Sequence, residues 1–145
     1  MEGRLRHLCL KAGRCAGHGD RVIGTVARIV LGALLLASGA LKLRDPSWPG
    51  AARAMGAPRW SVPLIAPVEI VLGAALAAGA VRPWPAWLAL ALLAVFSVAL
   101  LRVLRQPLAE RPACACFGRW SARPVGVGSL LRNAVLAGIA VVALL

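Results

Sequence analysis

Four apolar stretches, separated by short polar connections, dominate the pattern of hydrophobic and polar positions along this chain. They cover approximately residues 22–43, 62–81, 84–104 and 125–145. Each has about 20 residues, which is enough to cross a hydrocarbon core of ~30 Å as a helix. A helix is required because lipid cannot satisfy unpaired backbone groups. The pattern therefore predicts an all-α fold, an integral membrane four-helix bundle.

The ends of these stretches fit a membrane boundary. All five tryptophans lie at or near them, as expected for an interfacial belt: Trp48, Trp60, Trp84, Trp87 and Trp120. Residues 1–20 form a mostly polar tail that we expect to be disordered, and residues 21–145 form the transmembrane domain. The first apolar stretch is longer than the core of a secretory signal. We therefore expect it to remain as the first span of a multi-pass protein in the inner (plasma) membrane.

Composition agrees with a lipid-solvated chain. The 145 residues are 60% hydrophobic and only 15% charged, and the mean hydropathy is +0.79. A soluble domain of this size could not bury so much apolar surface. The net charge of +12 resembles that of nucleic-acid-binding proteins. However, most of the basic residues lie in short connections beside apolar stretches, which fits lipid headgroups and membrane orientation, so no nucleic-acid partner is expected.

The connection between the third and fourth stretches carries the candidate chemistry, in the run Cys114-Ala115-Cys116-Phe117-Gly118. A disulfide between cysteines one residue apart closes a small, strained ring that is easily reduced, which suits thiol exchange. Neighbouring arginines favour the thiolate form. Two alternatives remain: small apolar residues in a buried loop, or half of a Cu(I) or zinc site. We expect no metal, because that face has no histidine and no third cysteine.

Counting membrane crossings gives the topology. With four spans, the first and third connections share one face, so Cys9 and Cys15 lie across the membrane from Cys114 and Cys116.

The N-terminal face carries six basic residues: Arg4, Arg6, Lys11, Arg14, Arg21 and Arg82. The face with the thiol run carries nine: Lys42, Arg44, Arg53, Arg59, Arg102, Arg105, Arg111, Arg119 and Arg123. The positive-inside rule therefore favours cytoplasmic thiols, whereas stable or catalytic disulfides favour the opposite side.

Three charged residues lie inside the predicted spans: Arg28, Glu69 and Arg132. Each lies about 10 Å from the start of its helix at 1.5 Å per residue. Helices two and four start from the same face, so Glu69 and Arg132 have similar depths, and Arg28 lies lower. An isolated charge in lipid is costly. We therefore predict that Glu69 pairs with Arg132 and that Asn133 forms a hydrogen bond nearby.

The first span also has a stripe of small and polar residues at helical spacing, namely Arg28, Gly32, Leu35, Gly39 and Lys42. The glycines allow a neighbouring helix to approach closely, so the stripe is explained by bundle packing. A polar path through the bundle, or charges that tune the thiol run, would explain it as well. Lys42 favours these two functional explanations over packing alone, because it ends on the thiol face.

The order of several motifs is similar to that of a known family. They are Arg28-x-x-x-Gly32, the run from Ser38 to Pro46 (SGALKLRDP), Pro67-Val68-Glu69-x-x-x-Gly73, the CACFG run, Pro124-Val125-Gly126 and Leu131-Arg132-Asn133. From Arg21 to Leu145 the chain resembles the methylamine utilisation protein MauE family, which is related to the DoxX-like four-span membrane proteins. The resemblance implies maturation of the disulfide-rich small subunit of methylamine dehydrogenase, alongside a periplasmic thioredoxin-like partner. It also implies that Cys114 and Cys116 face the periplasm.

Two functional hypotheses follow. In the first, the chain is a component of a membrane thiol–disulfide oxidoreductase, and Cys114 and Cys116 exchange with the thioredoxin-like protein. No cofactor motif is evident, although a quinone is a conceivable electron partner. In the second, the chain is a non-enzymatic membrane scaffold or small-solute carrier with structural cysteines. The polar positions Arg28, Lys42, Glu69, Arg132 and Asn133 would support either one.

Overall fold

The computed structural model describes residues 18–81, 83–114 and 123–145. These residues form five α-helices, a short 3₁₀ helix and one pair of two-residue strands. The helices are α1 (His18–Arg44), α2 (Trp48–Ala54), α3 (Val62–Ala78), α4 (Trp84–Leu104) and α5 (Val127–Val142), and the 3₁₀ helix is Leu108–Glu110. The strands β1 (Ala113–Cys114) and β2 (Arg123–Pro124) are antiparallel. The all-α membrane bundle is confirmed, and the predicted tail lies largely outside the described residues.

Local sequence explains where the helices begin and end. Prolines occupy the first turn of α2, α3 and α4, where a missing N–H costs nothing. Helix α3 ends earlier than the hydropathy pattern predicts because Gly79 adopts a left-handed conformation with φ 65°. Helix α5 starts two residues later than predicted, after Pro124 in β2 and the extended Gly126. Helix α2 lies in the first connection, where the hydropathy pattern predicts no span.

Helices α1 and α3 pack with their backbones in close approach. A Cβ atom added to Gly32 would lie 2.6 Å from the Gly73 carbonyl oxygen, and one added to Gly73 would lie 2.7 Å from the Gly32 carbonyl oxygen. At Gly39 an added Cβ would lie 2.8 Å from the Ala66 carbonyl oxygen. Only glycine fits these contacts, so packing explains the glycines of the α1 stripe.

The interior of the bundle combines an apolar core with buried polar side chains. The core includes Leu31, Leu72, Leu76, Ala89 and Leu93, drawn from α1, α3 and α4. The buried polar or charged residues are Arg28, Ser38, Lys42, Asp45, Glu69 and Asn133. Large apolar residues meanwhile cover the outside, for example Val71 and Val95 at 69% and 64% exposure. An apolar exterior around a partly polar interior is the arrangement that a lipid solvent favours.

The lengths of the helices also indicate a membrane protein. Two helices, Gly19–Arg44 within α1 and Trp84–Leu104, are long and apolar enough to cross a membrane. The apolar helices α3 and α5 are shorter, with 17 and 16 residues. They span about 24–26 Å at 1.5 Å per residue. The chain is therefore a membrane protein by fold and composition.

The first and third connections meet at one end of the bundle. Met55, just after α2, packs against the buried cluster of Leu100, Val103 and Val125. Leu104, the last residue of α4, packs against the same cluster. The connection that carries Cys114 therefore lies beside α2, as the count of crossings predicts.

Candidate functional site: a buried ion pair beneath the thiol hairpin

A buried ion pair joins α1 to α3 near the end of the bundle that carries the thiol run. The Lys42 ammonium group contacts the Glu69 carboxylate at Oε1, and the two side chains are 2% and 1% exposed. Ser38 donates a hydrogen bond of 3.2 Å from its hydroxyl group to Glu69 Oε2. Both carboxylate oxygens therefore have a donor, which a buried carboxylate requires.

The close approach of α1 and α3 brings these groups together. Ser38 and Lys42 are four residues apart on α1, so they share one face. Gly39 lies beside them, and a Cβ atom there would lie 3.3 Å from Glu69 Cβ. The missing side chain at Gly39 lets α3 place Glu69 directly against that face.

Two aromatic rings complete the enclosure of Lys42. Its Nζ atom lies 4.7 Å from the centroid of the Trp48 ring, on α2, and 4.9 Å from that of Phe96, on α4. A cation over an aromatic face gains about 0.5–2 kcal/mol, with the larger values at desolvated sites. Four elements of the bundle therefore converge on one ammonium group.

In the structure Glu69 pairs with Lys42, whereas the depths of the residues along their helices predict Arg132 as its partner. Depth along a helix describes the position of a Cα atom and not the reach of its side chain. Side chains on a helix lean towards its N-terminus, so the long Lys42 side chain returns from the end of α1 towards the level of Glu69. Arg132 lines the same small cavity as Glu69 and Lys42.

Asn133 connects α5 to α4 within this region. Its Nδ2 atom donates hydrogen bonds of 2.8 Å to the Leu93 carbonyl oxygen and 2.6 Å to Ser97 Oγ. The side chain is buried and lines the same cavity as Glu69. Asn133 therefore holds α5 against α4.

Arg28 belongs to a different part of the bundle. Its Nη2 atom donates a 2.8 Å hydrogen bond to Thr25 Oγ1, one turn earlier in α1. The residue is 5% exposed and lines a small cavity with Gly79 and Leu145. It lies about 21 Å along α1 from Lys42 at 1.5 Å per residue. Arg28 is thus at a lower level than Glu69, as predicted, and outside the Lys42 cluster.

The thiol run begins on a braced hairpin. Ala113 pairs with Pro124 and Cys114 with Arg123, and the Val125 amide donates a 3.1 Å hydrogen bond to the Pro112 carbonyl oxygen. We call the segment 111–125 the thiol hairpin, and only its base is described. Residues 115–122, including Cys116, lie outside the described residues, as does the side chain of Cys114.

Two contacts fasten this base to the bundle. Arg111 donates hydrogen bonds of 2.9 Å to the Gln106 carbonyl oxygen from Nε and to the Leu104 carbonyl oxygen from Nη2. Val125, which is fully buried, packs against Leu100 of α4. The described part of the hairpin is therefore fixed to the end of α4, at the end of the bundle where Lys42 and Trp48 lie.

Sequence reasoning missed Ser38, Trp48 and Phe96 as neighbours of the charged pair. Ser38 could have been found from its spacing of four residues before Lys42. The sequence position of Trp48 predicts only a place in the interfacial belt, and no pattern marks Phe96. Within the described ranges, no group of three or more His, Cys, Asp or Glu side chains converges as a metal site would require.

Comparison with known proteins finds a matching family model. A family model described as "Methylamine utilisation protein MauE" matches residues 20–145. The match covers most of the chain and confirms the resemblance drawn from its motifs. No curated protein and no solved structure matches the chain.

Proposed function

This chain belongs to the MauE family of methylamine utilisation proteins, and on that premise we propose that it exchanges thiols and disulfides through Cys114 and Cys116. In this proposal it is a four-span protein of the inner membrane that assists the maturation of an exported protein. We take an amine dehydrogenase subunit as the first candidate for that protein, because the resemblance of the motifs implies it. The direct exchange partner is a periplasmic thioredoxin-like protein.

The braced base of the thiol hairpin is the observation that carries this proposal. Cys114 begins a segment whose two ends are paired with each other and fastened to α4 through Arg111 and Val125. A pair of cysteines on a fixed base can be presented to a partner at the membrane surface. A fixed base at the first cysteine reduces the ordering needed when a mixed disulfide forms, so exchange is favoured.

The exchange itself is balanced between the two proteins. A thiolate of one protein attacks the disulfide of the other, an S–S bond joins the two chains, and the broken disulfide leaves a thiolate. The second thiol of the attacking pair then displaces the partner and closes its own disulfide. Two electrons and two protons leave with the reduced partner. One attacking and one resolving cysteine are sufficient.

Substitution of both cysteines tests the proposal. In cells whose own copy of the gene is deleted, Cys114→Ser/Cys116→Ser should abolish maturation of the exported partner. The single variant that lacks the resolving cysteine should accumulate a mixed disulfide with the thioredoxin-like protein, whereas the one that lacks the attacking cysteine should not. Cys9→Ser/Cys15→Ser is the matched control and should support maturation like the parent chain. If the Cys114→Ser/Cys116→Ser chain supports maturation fully, the exchange role fails and the scaffold or solute-carrier hypothesis replaces it.

A further inference from the structure

A cavity of about 520 Å³ opens between α2, α3 and α4, beside the Lys42 cluster. Its wall is almost entirely apolar, including Met55, Ile65 and Leu100. Val95 and Val98 also line it, and both belong to the exposed apolar surface of α4. A molecule dissolved in the hydrocarbon core could therefore enter from the side. The volume lies within the ~300–1,000 Å³ range of small-molecule sites.

The polar groups on this wall are mainly hydrogen-bond donors. Lys42, Trp48 and Arg102 line the cavity, whereas Glu69 does not. The indole N–H of Trp48 is buried and has no acceptor within the part of the chain that the structure describes. A buried donor without an acceptor is costly, and an acceptor brought by a ligand would remove that cost. The cavity therefore suits a lipid-soluble molecule that carries acceptor oxygens.

The shape and position of the polar end narrow the class of ligand. Trp48 and Phe96 both line the cavity, and their rings flank Lys42, so the polar end of the cavity lies among aromatic side chains. Met55 and Leu100 line the cavity and also pack in the cluster that holds Val125, the residue directly after β2. The cavity thus adjoins the base of the thiol hairpin.

We propose that this cavity binds the ring of a membrane quinone, with its carbonyl oxygens towards Lys42 and Trp48 and its isoprenoid tail towards Val95 and Val98. A fatty acyl chain would fill the apolar part but bring no acceptor to the Trp48 N–H. A quinone brings both an apolar tail and carbonyl acceptors. The proposal goes one step beyond the thiol exchange and rests on it for its chemical purpose.

The redox step is balanced. The Cys114/Cys116 dithiol loses two electrons and two protons and closes an S–S bond, and the quinone gains both and becomes a hydroquinone with two new O–H bonds. The Lys42 ammonium group stabilises negative charge on the ring oxygen as the electrons arrive. The disulfide formed in this way is then passed to the thioredoxin-like partner.

Binding is tested separately from redox chemistry by using the full chain in lipid nanodiscs with Cys114→Ser/Cys116→Ser. The probe is a photoreactive azidoquinone, displaced by decylubiquinone, and the labelled peptides are identified by mass spectrometry. Labelling should map to α2 and to the cavity face of α4. Ala99→Phe fills the cavity and should weaken displacement at least about tenfold, whereas Ala91→Phe, on the exposed surface of α4 outside the cavity, should not.

A second variant tests the hydrogen bond. Trp48→Phe keeps a ring but removes the N–H, and it should weaken decylubiquinone binding about 3–10-fold. Decylbenzene, which has a similar tail but no carbonyl oxygen, should displace the probe poorly. Equal displacement by decylbenzene, labelling outside the cavity, or equal effects of Ala99→Phe and Ala91→Phe would each overturn the quinone site.

The two proposals fail in distinguishable ways. The parent chain with reduced thiols should convert decylubiquinone to its hydroquinone, one per chain, whereas the Cys114→Ser/Cys116→Ser variant should bind it unchanged. If the quinone does not bind but the cysteine variant still abolishes maturation, the exchange role stands and the quinone site is wrong. If the quinone binds but the cysteine variant supports maturation, the site stands and the exchange role is wrong.

Discussion

Glu69 and Lys42 form a pair in which neither charge is tolerable without the other. Both side chains are almost fully buried, and Ser38 occupies the second carboxylate oxygen. Removing one partner of a buried ion pair leaves an uncompensated charge and costs about 3–5 kcal/mol. The rings of Trp48 and Phe96 stabilise the ammonium but cannot replace a counter-charge, since a cation–π contact contributes about 0.5–2 kcal/mol. The pair therefore controls whether α1 and α3 stay packed.

Glu69→Gln should destabilise the bundle by about 3–5 kcal/mol, because it leaves the Lys42 ammonium buried without an anion. The measurement is the thermal unfolding midpoint of the purified chain in detergent. Glu110→Gln is the matched control, since Glu110 is exposed in the 3₁₀ helix, and it should shift the midpoint little.

A double-mutant cycle separates the observed pairing from the one that axial depth predicted. Glu69→Gln combined with Lys42→Met should show a coupling of about 0.5–3 kcal/mol, because the second change removes the charge that the first leaves unpaired. A larger coupling between Glu69→Gln and Arg132→Met than between Glu69→Gln and Lys42→Met would contradict the pairing in the structure.

At the scale of elements, the contact of α1 with α3 depends on glycines that face each other's backbone. Gly32 and Gly73 each leave space for the other's carbonyl oxygen, and Gly39 does the same for Ala66. Lipid provides no hydrophobic force between helices. Such close packing therefore supplies much of the energy of helix association. It also sets the spacing that lets the Lys42 and Glu69 side chains meet.

Gly73→Ala should therefore push α3 away from α1 and cost about 1–3 kcal/mol in the thermal unfolding measurement. Its control is Gly138→Ala in α5, where an added Cβ has no atom within 4 Å. Alanine favours a helix more than glycine by about 0.5–1 kcal/mol, so the control should be neutral or stabilising. Equal effects of the two substitutions would show that the close approach is unimportant.

At the scale of the whole molecule, the bundle has two chemically different ends. One end carries α2, the Lys42 cluster and the base of the thiol hairpin, whereas Arg28 lies towards the other. The charge pattern and the proposed thiol exchange favour opposite orientations of these ends in the membrane. Oxidative folding in the periplasm requires the thiol end to face outwards.

Thiol labelling in intact cells tests that orientation. After reduction, a membrane-impermeant maleimide should label Cys114 and Cys116 in the Cys9→Ser/Cys15→Ser chain. It should not reach Cys9 and Cys15 in the Cys114→Ser/Cys116→Ser chain until the cells are permeabilised, because the proposed four-span topology places them on the other side. The reverse pattern would place the thiol hairpin in the cytoplasm, as the positive-inside rule favours.

Hydropathy was sufficient to predict the four long apolar helices, because segment length and apolar content are local properties of the sequence. The partner of Glu69 was not predictable in that way. Pairing depends on the direction and reach of side chains, and Lys42 reaches back from a position that looks interfacial in sequence. Trp48 and Phe96 were missed for a related reason: only α2 and the packing of α4 bring their rings to the same ammonium group.

The ion pair also constrains how the chain is made. Lys42 and Glu69 are 27 residues apart, so at ~5–20 residues per second the lysine is synthesised roughly 1–5 s before its carboxylate. During that interval the ammonium group, close to the end of α1, can extend to the headgroup region. It can retract only when α3 arrives. Biogenesis of this end of the bundle is thus a two-step process, in which membrane insertion of the first helix precedes burial of its charge.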